Sequence, residues 1–247
     1  MLLILKKIHR LLYFLSILFF FVISFPILYF LAKNPEKHYN SIVWFRKWIS
    51  LLGSYFVGIR YKVTYEEPID WSKNYIICPN HTSILDITAL TYLSPRPFSF
   101  IGKVELLKNP VTRIFFKTID IPVKRESKIS SFKAFKRATE LLKEGKSLVI
   151  FPEGKIDDHF PPTLHKFKPG AFRMAMDNNT PILPVVIHNA SAILWDDGGQ
   201  FGSRPGCIKI TVLKPIETDP NVSTANSSIE QEVYEKMNKV WQEGSLL

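Results

Sequence analysis

Apolar positions crowd the N-terminal quarter of the chain. From Leu11 to Ala32 no charged residue occurs, and the run is dense in Leu, Ile and Phe. Its length reaches the roughly 20 residues that cross a bilayer. A cleavable signal peptide has a shorter apolar region and a small-residue cleavage site, and neither is evident. Lys6, Lys7 and Arg10 precede the run, and Lys33, Lys37, Arg46 and Lys47 follow it. Basic residues on both flanks set no orientation for a single span. Next, Trp44, Phe45, Trp48, Leu51, Leu52, Tyr55, Phe56 and Ile59 recur at threes and fours. That is the pattern of a helix with one apolar stripe, with Arg46 and Lys47 to the side. Such a helix suits the plane of a membrane interface, with aromatic rings at headgroup depth. Two arrangements fit: a helical hairpin that enters and leaves one leaflet, or a true span. A second helix packed on the protein's own core is compatible with either.

After about residue 60 the pattern changes to short apolar runs alternating with amphipathic ones. Strands are predicted at 75–78, 98–102, 121–123, 147–151, 182–187 and 208–213. Helices are predicted at 83–93, 104–118 with a break near Pro110, 131–143, 171–177 and 228–242. In the third of these helices Phe132, Phe135, Ala138 and Leu142 fall along one side, and Gly145 ends it. Strands alternating with helices argue for an α/β fold around a mostly parallel or mixed sheet flanked by helices. The expected division is 1–62 for the membrane-attachment helices and 63–247 for a single α/β domain.

Composition narrows the partners. An apolar fraction of 46% supplies a substantial core and excludes disorder. The 32 Lys+Arg against 22 Asp+Glu give a formal charge of +10, which favours an anionic partner. The basic residues are dispersed and an apolar anchor is present, so an anionic membrane and phosphorylated substrates fit better than nucleic acid. Cys78 and Cys207 are the two cysteines, too few for a disulfide framework. A reducing, cytoplasm-facing domain is the simpler inference.

Polar residues gather where the predicted strands end, the place where an α/β sheet presents loops to a ligand. His81 follows the first strand and Asp86 comes five residues later. On an ideal helix five positions rotate by about 140°, so the two meet only if His81 lies in the loop and Asp86 about one turn into the helix. Thr82 or Ser83 would then cap that helix. A carboxylate on one imidazole nitrogen leaves the other as a base, suited to deprotonating a hydroxyl. On spacing alone, a capping motif with an incidental histidine is the simpler account. Phe151-Pro152-Glu153-Gly154 follows another strand, with Gly154 letting backbone approach a ligand closely. Lys124-Arg125 follows a third strand, where Arg125 can take a phosphate bidentately. Lys103-Val104-Glu105 follows a fourth and reads equally as a salt-bridged helix start. Each cluster has an ordinary surface explanation; four at four strand ends are harder to dismiss together.

This ordered set resembles the glycerolipid acyltransferase family that includes the 1-acylglycerol-3-phosphate acyltransferases. The family's Asn-His-x-x-x-x-Asp motif is present as Asn80 to Asp86, and its Lys-x-Glu-Leu element as Lys103 to Leu106. An Arg after a short strand is Arg125, and Phe-Pro-Glu-Gly is 151–154. Lys168 to Phe172 and Ile182-Leu183-Pro184-Val185-Val186 complete it, over roughly residues 70–190. The family commonly continues Glu-Gly-Thr-Arg, whose Arg helps bind phosphate; here Lys155-Ile156 stand instead. Lys155 can supply the charge without the guanidinium fork, as can Lys166 or Lys168.

The resemblance implies an O-acyltransferase. His81, oriented by Asp86, would deprotonate the sn-2 hydroxyl of lysophosphatidic acid as it attacks an acyl thioester on acyl carrier protein or coenzyme A. Arg125 with Lys103 or Lys155 would hold the phosphate, and Glu153 the glycerol. Backbone amides near Gly154 or at 81–83 would stabilise the oxyanion. The thioester is a co-substrate; no cofactor or metal is required. Glycerol 3-phosphate and a lyso-ornithine lipid are alternative acceptors. A serine hydrolase lacks a Gly-x-Ser-x-Gly elbow, and His81, His159 and His165 lack metal-ligand spacing. A non-catalytic lipid-binding module explains the charge and the anchor, but not the residues at the strand ends.

Overall fold

The computed structural model describes residues 1–124, 126–156, 159–195, 201–218 and 226–244. Two helices come first, α1 (Leu2–Leu31) and α2 (Tyr39–Phe56). By length and composition α1 is able to cross a membrane, and most of its large apolar side chains are exposed. It lies against α2, where Ser16 Oγ donates to the Gly53 carbonyl at 2.8 Å. Gly53 permits the approach, since a Cβ there would meet Ile17 Cδ1 at 2.4 Å.

α2 is apolar on two faces. Trp44, Trp48, Leu52 and Phe56 form the exposed one, while Ile42, Val43 and Ile49 are buried. Arg46 corrects the expectation of a side-facing charge, because it is only 5% exposed. Its guanidinium donates to Asp120 Oδ1 at 2.5 Å and to the Phe98 carbonyl at 2.6 Å. It also lies over the rings of Phe98 and Phe100. A buried charge persists only when paired and hydrogen-bonded, and these contacts meet that requirement.

The remaining elements are β1 (Ile59–Tyr65), β2 (Ile76–Pro79), α3 (Leu85–Leu93), β3 (Phe98–Lys103), α4 (Pro110–Thr118), β4 (Ile121–Val123), α5 (Lys128–Lys143), β5 (Ser147–Val149), α6 (Gly170–Asp177), β6 (Ile182–Ile187), α7 (Ala190–Ile193), β7 (Gly206–Val212) and α8 (Asn226–Gly244). They build a seven-stranded sheet in the order β1-β7-β6-β2-β5-β3-β4. Every neighbouring pair is parallel except β6 with β7. Mixed α/β architecture is therefore observed.

Several boundaries differ from the sequence reading. β1 was not expected, although Ile59-Arg60-Tyr61-Lys62-Val63 alternates apolar and polar; the sheet thus starts before residue 63. The predicted helix at 104–118 divides into a 3-10 turn, Val104–Lys108, and α4, with Asn109 capping α4 and Pro110 in its first turn. α5 starts three residues earlier than Ser131, capped by Ser127 Oγ, which accepts from the Ser130 amide. β5 ends at Val149, so Phe151 to Gly154 form a loop.

The sheet separates two cores. On one face α3, with Tyr13 of α1 and Leu51 of α2, covers Ile77, Phe98, Phe100 and Val149. On the other, α5, α6 and α8 cover Ile76, Cys78, Leu148 and Ile182. Successive strand residues alternate between the two, as the pleat requires. A third cluster joins α1, α2 and α4.

Candidate active site

β2, β5, β3 and β4 stand side by side and run the same way. Their carboxyl ends therefore form one edge, and the expected clusters fall along it. Asn80 closes β2 by bonding β6: its Nδ2 donates to the Ile187 carbonyl at 3.1 Å, and its Oδ1 accepts the Ile187 amide at 2.7 Å. Neither hydroxyl expected to cap α3 does so, since Ile84 is its N-cap and no side chain caps it; Ser83 Oγ accepts the Leu85 amide at 3.1 Å in the turn before it. Its own proton goes to the Leu194 carbonyl at 2.6 Å.

His81 lies in this loop and Asp86 in the first turn of α3. Imidazole Nδ1 is 3.0 Å from Asp86 Oδ2, so Nδ1–H donates to the carboxylate and Nε2 is left as the acceptor. The same oxygen accepts the Thr82 amide at 2.7 Å and the Ser83 amide at 2.8 Å. Asp86 is fully buried, whereas the His81 side chain keeps 17% exposure. The His81 ring stacks on Phe151 at 3.9 Å between centroids and 24° between planes. Phe100 lies parallel to Phe151 behind it, at 6.5 Å. The ring is thus fixed at one nitrogen and across one face.

Glu153, expected at the substrate, is buried. Its Oε1 accepts the His81 amide at 2.6 Å and its Oε2 the His165 amide at 2.8 Å. It therefore braces the His81 loop against the 159–168 segment. Gly154 follows with φ of +78°, a conformation that favours glycine. The amides of residues 81–83 all serve these two carboxylates, which corrects their expected use as oxyanion donors.

Lys103 ends β3 and is exposed, as is Glu105; among the described residues no ion pair joins them. Lys155, Lys166 and Lys168 are exposed too. Arg125 lies outside the described residues, directly after exposed Lys124. Beside Phe151 a cleft of about 450 Å³ runs between α5, α6 and the sheet, lined by Ile101, Val123, Phe135, Gly154 and Met174. No group of His, Cys, Asp or Glu among the described residues is arranged to hold a metal ion. The sequence reading missed two contacts: the Phe151 stack, and the His165 amide on Glu153, for which no local signal exists.

Known proteins are similar to this chain. A family model described as Acyltransferase matches residues 60–188, over half of the chain, and the chain belongs to that family. The 1-acyl-sn-glycerol-3-phosphate acyltransferase of Saccharomyces cerevisiae is 31% identical over 180 residues, which are 70% of this chain and 58% of that protein. The one from Borreliella burgdorferi is 33% identical over 138 residues, 56% of this chain and 54% of its own. The human 1-acyl-sn-glycerol-3-phosphate acyltransferase beta is 30% identical over 173 residues, with 69% and 61% covered. The chain thus spans less than two thirds of these relatives' length. The crystal structure of the 1-acyl-sn-glycerophosphate (LPA) acyltransferase PlsC from Thermotoga maritima shares the fold. It matches with a TM-score of 0.76 at 22% identity, over 96% of this chain and 97% of that one.

Proposed function

We propose that this protein transfers a fatty acyl group from an acyl thioester to the sn-2 hydroxyl of 1-acylglycerol-3-phosphate, giving phosphatidic acid. The observation that carries the reading is His81, with Nδ1 on buried Asp86 and Nε2 left as a base at the carboxyl edge of the sheet. Nε2 takes the hydroxyl proton as the oxygen attacks the thioester carbonyl. The new C–O bond forms, the C–S bond breaks, and the departing thiolate recovers the proton from the imidazolium. Asp86 stabilises that imidazolium without itself accepting the proton. Glu153 acts through the loop it braces. Lys103 and Lys155, along the same edge, supply cations for the acceptor's phosphate, and Arg125 supplies another. α1 and the exposed aromatic face of α2 hold the enzyme at an anionic membrane, with the catalytic domain on the cytoplasmic side.

His81→Ala is expected to lower transfer by about 10²–10⁴-fold, the usual contribution of general-base catalysis, while circular dichroism and vesicle association stay unchanged. Near-normal turnover would sink the proposal. Arg125→Ala is expected mainly to raise the KM for the phosphorylated acceptor; an unchanged KM removes its phosphate role. Lys155-Ile156 in place of Thr-Arg favours a second reading, the same chemistry on glycerol 3-phosphate or a lyso-ornithine lipid. Competition among these acceptors separates the readings.

A further inference from the structure

α5 carries apolar side chains on more than one face. Ala134, Ala138, Leu141 and Leu142 enter the core, and Ser131, Ala134 and Phe135 line the cleft beside Phe151. Its first turn differs: Ile129 and Phe132 are 71% and 70% exposed. Outside α1 and α2 they are the most exposed large apolar side chains among the described residues. Three positions apart, they share one side of the helix. Exposed Lys128, Lys133 and Lys136 lie within a turn of them. Exposed Lys124 is tied to the same turn, its backbone N–H donating to Ser130 Oγ at 2.9 Å. None of these four lysines forms an ion pair with a described residue. One acidic side chain, Glu126, stands among them.

Two anionic partners compete for such a patch, a membrane and a protein. α1, α2 and α3 belong to one face of the sheet, and α5 to the other. The Trp44–Trp48 side of α2 and the apolar surface of α1 already offer a bilayer its contact on the first face. Exposed apolar side chains ringed by lysines on the other suit a soluble acidic protein. A coenzyme A thioester has no need of the apolar anchors.

We infer that the first turn of α5 is the docking surface for an acidic carrier protein that bears the acyl group as a thioester and feeds its chain into the adjoining cleft. This rests on the acyl-transfer reading, and it selects the carrier-bound donor over the coenzyme A form.

The test uses the full-length protein and two double variants, Ile129→Ser with Phe132→Ser and Lys128→Glu with Lys133→Glu. Binding of fluorescently labelled holo-acyl carrier protein is followed by anisotropy. Transfer is assayed in parallel from palmitoyl-acyl carrier protein and palmitoyl-coenzyme A. Each double variant is expected to weaken carrier binding and raise the KM for the carrier thioester by about tenfold, the scale of truncating interface anchors. Turnover with palmitoyl-coenzyme A is expected to stay near wild type, which also reports intact folding. Unchanged carrier binding overturns the inference, as does an equal loss with both donors. Loss of co-sedimentation with phosphatidylglycerol vesicles, with carrier binding intact, assigns the patch to the membrane instead. If the wild-type protein transfers from neither donor, the functional reading fails, and the anisotropy measurement still decides the docking surface.

Discussion

Asp86 Oδ2 receives three N–H groups, from the His81 ring and from the Thr82 and Ser83 amides. One atom therefore shapes the loop and orients the base, and the two roles separate by substitution. Asp86→Ala strips buried amides of their acceptor, at about 1–3 kcal/mol for each group left unsatisfied, and lowers both Tm and kcat. Asp86→Asn retains an acceptor oxygen but no charge for the imidazolium, so kcat falls sharply with a smaller loss of Tm. Thermal melts alongside steady-state kinetics check both outcomes. His188 offers a pH test away from the site. Burial, and then neighbouring Lys209, hold its imidazole below the ordinary value. The unfolded chain takes that proton more readily, so the associated stability is complete above about pH 6.5 and declines as pH falls below it. His188→Gln is expected to flatten that acid limb in denaturant titrations. At this scale the sequence was informative where chemistry is local. His81, Asp86 and Gly154 have conformations set largely by neighbours in the chain, whereas Asn80 bonds distant Ile187. Glu153 was legible as a strand-end carboxylate, but its hold on His165 required the tertiary fold.

α2 shows what an amphipathic pattern leaves open. Its Trp44, Trp48, Leu52 and Phe56 form a regular stripe, yet that stripe points outward. Ile42, Val43 and Ile49 make a second apolar face, which packs inward together with Arg46. Periodicity reports that a helix has an apolar face; it does not choose between two of them. Arg46 and Asp120 then join α2 to the junction of α4 and β4. Burial raises the Asp120 carboxyl, and Arg46 pulls it back down. Arg46→Met leaves that carboxylate buried and unpaired, at a cost of about 3–5 kcal/mol. Adding Asp120→Leu is expected to recover most of the loss, and urea melts of the single and double variants measure the difference. β1 was missed for a related reason: it directly continues α2 after Gly58, and the end of the helical stripe obscured its alternation.

Across the molecule, the long apolar helix at the start and the α/β sheet were both foreseen, whereas the strand order was not. The strand ends that carry the polar clusters share one edge because β2, β5, β3 and β4 are neighbours, a fact set by long-range pairing that local patterns do not encode. The exposed side of α2 gives a direct check on attachment. Trp44→Ser with Trp48→Ser is expected to weaken vesicle co-sedimentation severalfold while Tm is kept, since neither ring is buried. Ile42→Ser is expected to lower Tm, because Ile42 is fully buried. The pairing of β1 with β7 has a further consequence, for the order of assembly. Ile59 pairs with Gly206, so the strand that directly follows the apolar helices waits for a partner that lies far along the chain. Closing a contact of such long range is slow. The apolar helices are therefore complete before the sheet can close around the strand that follows them.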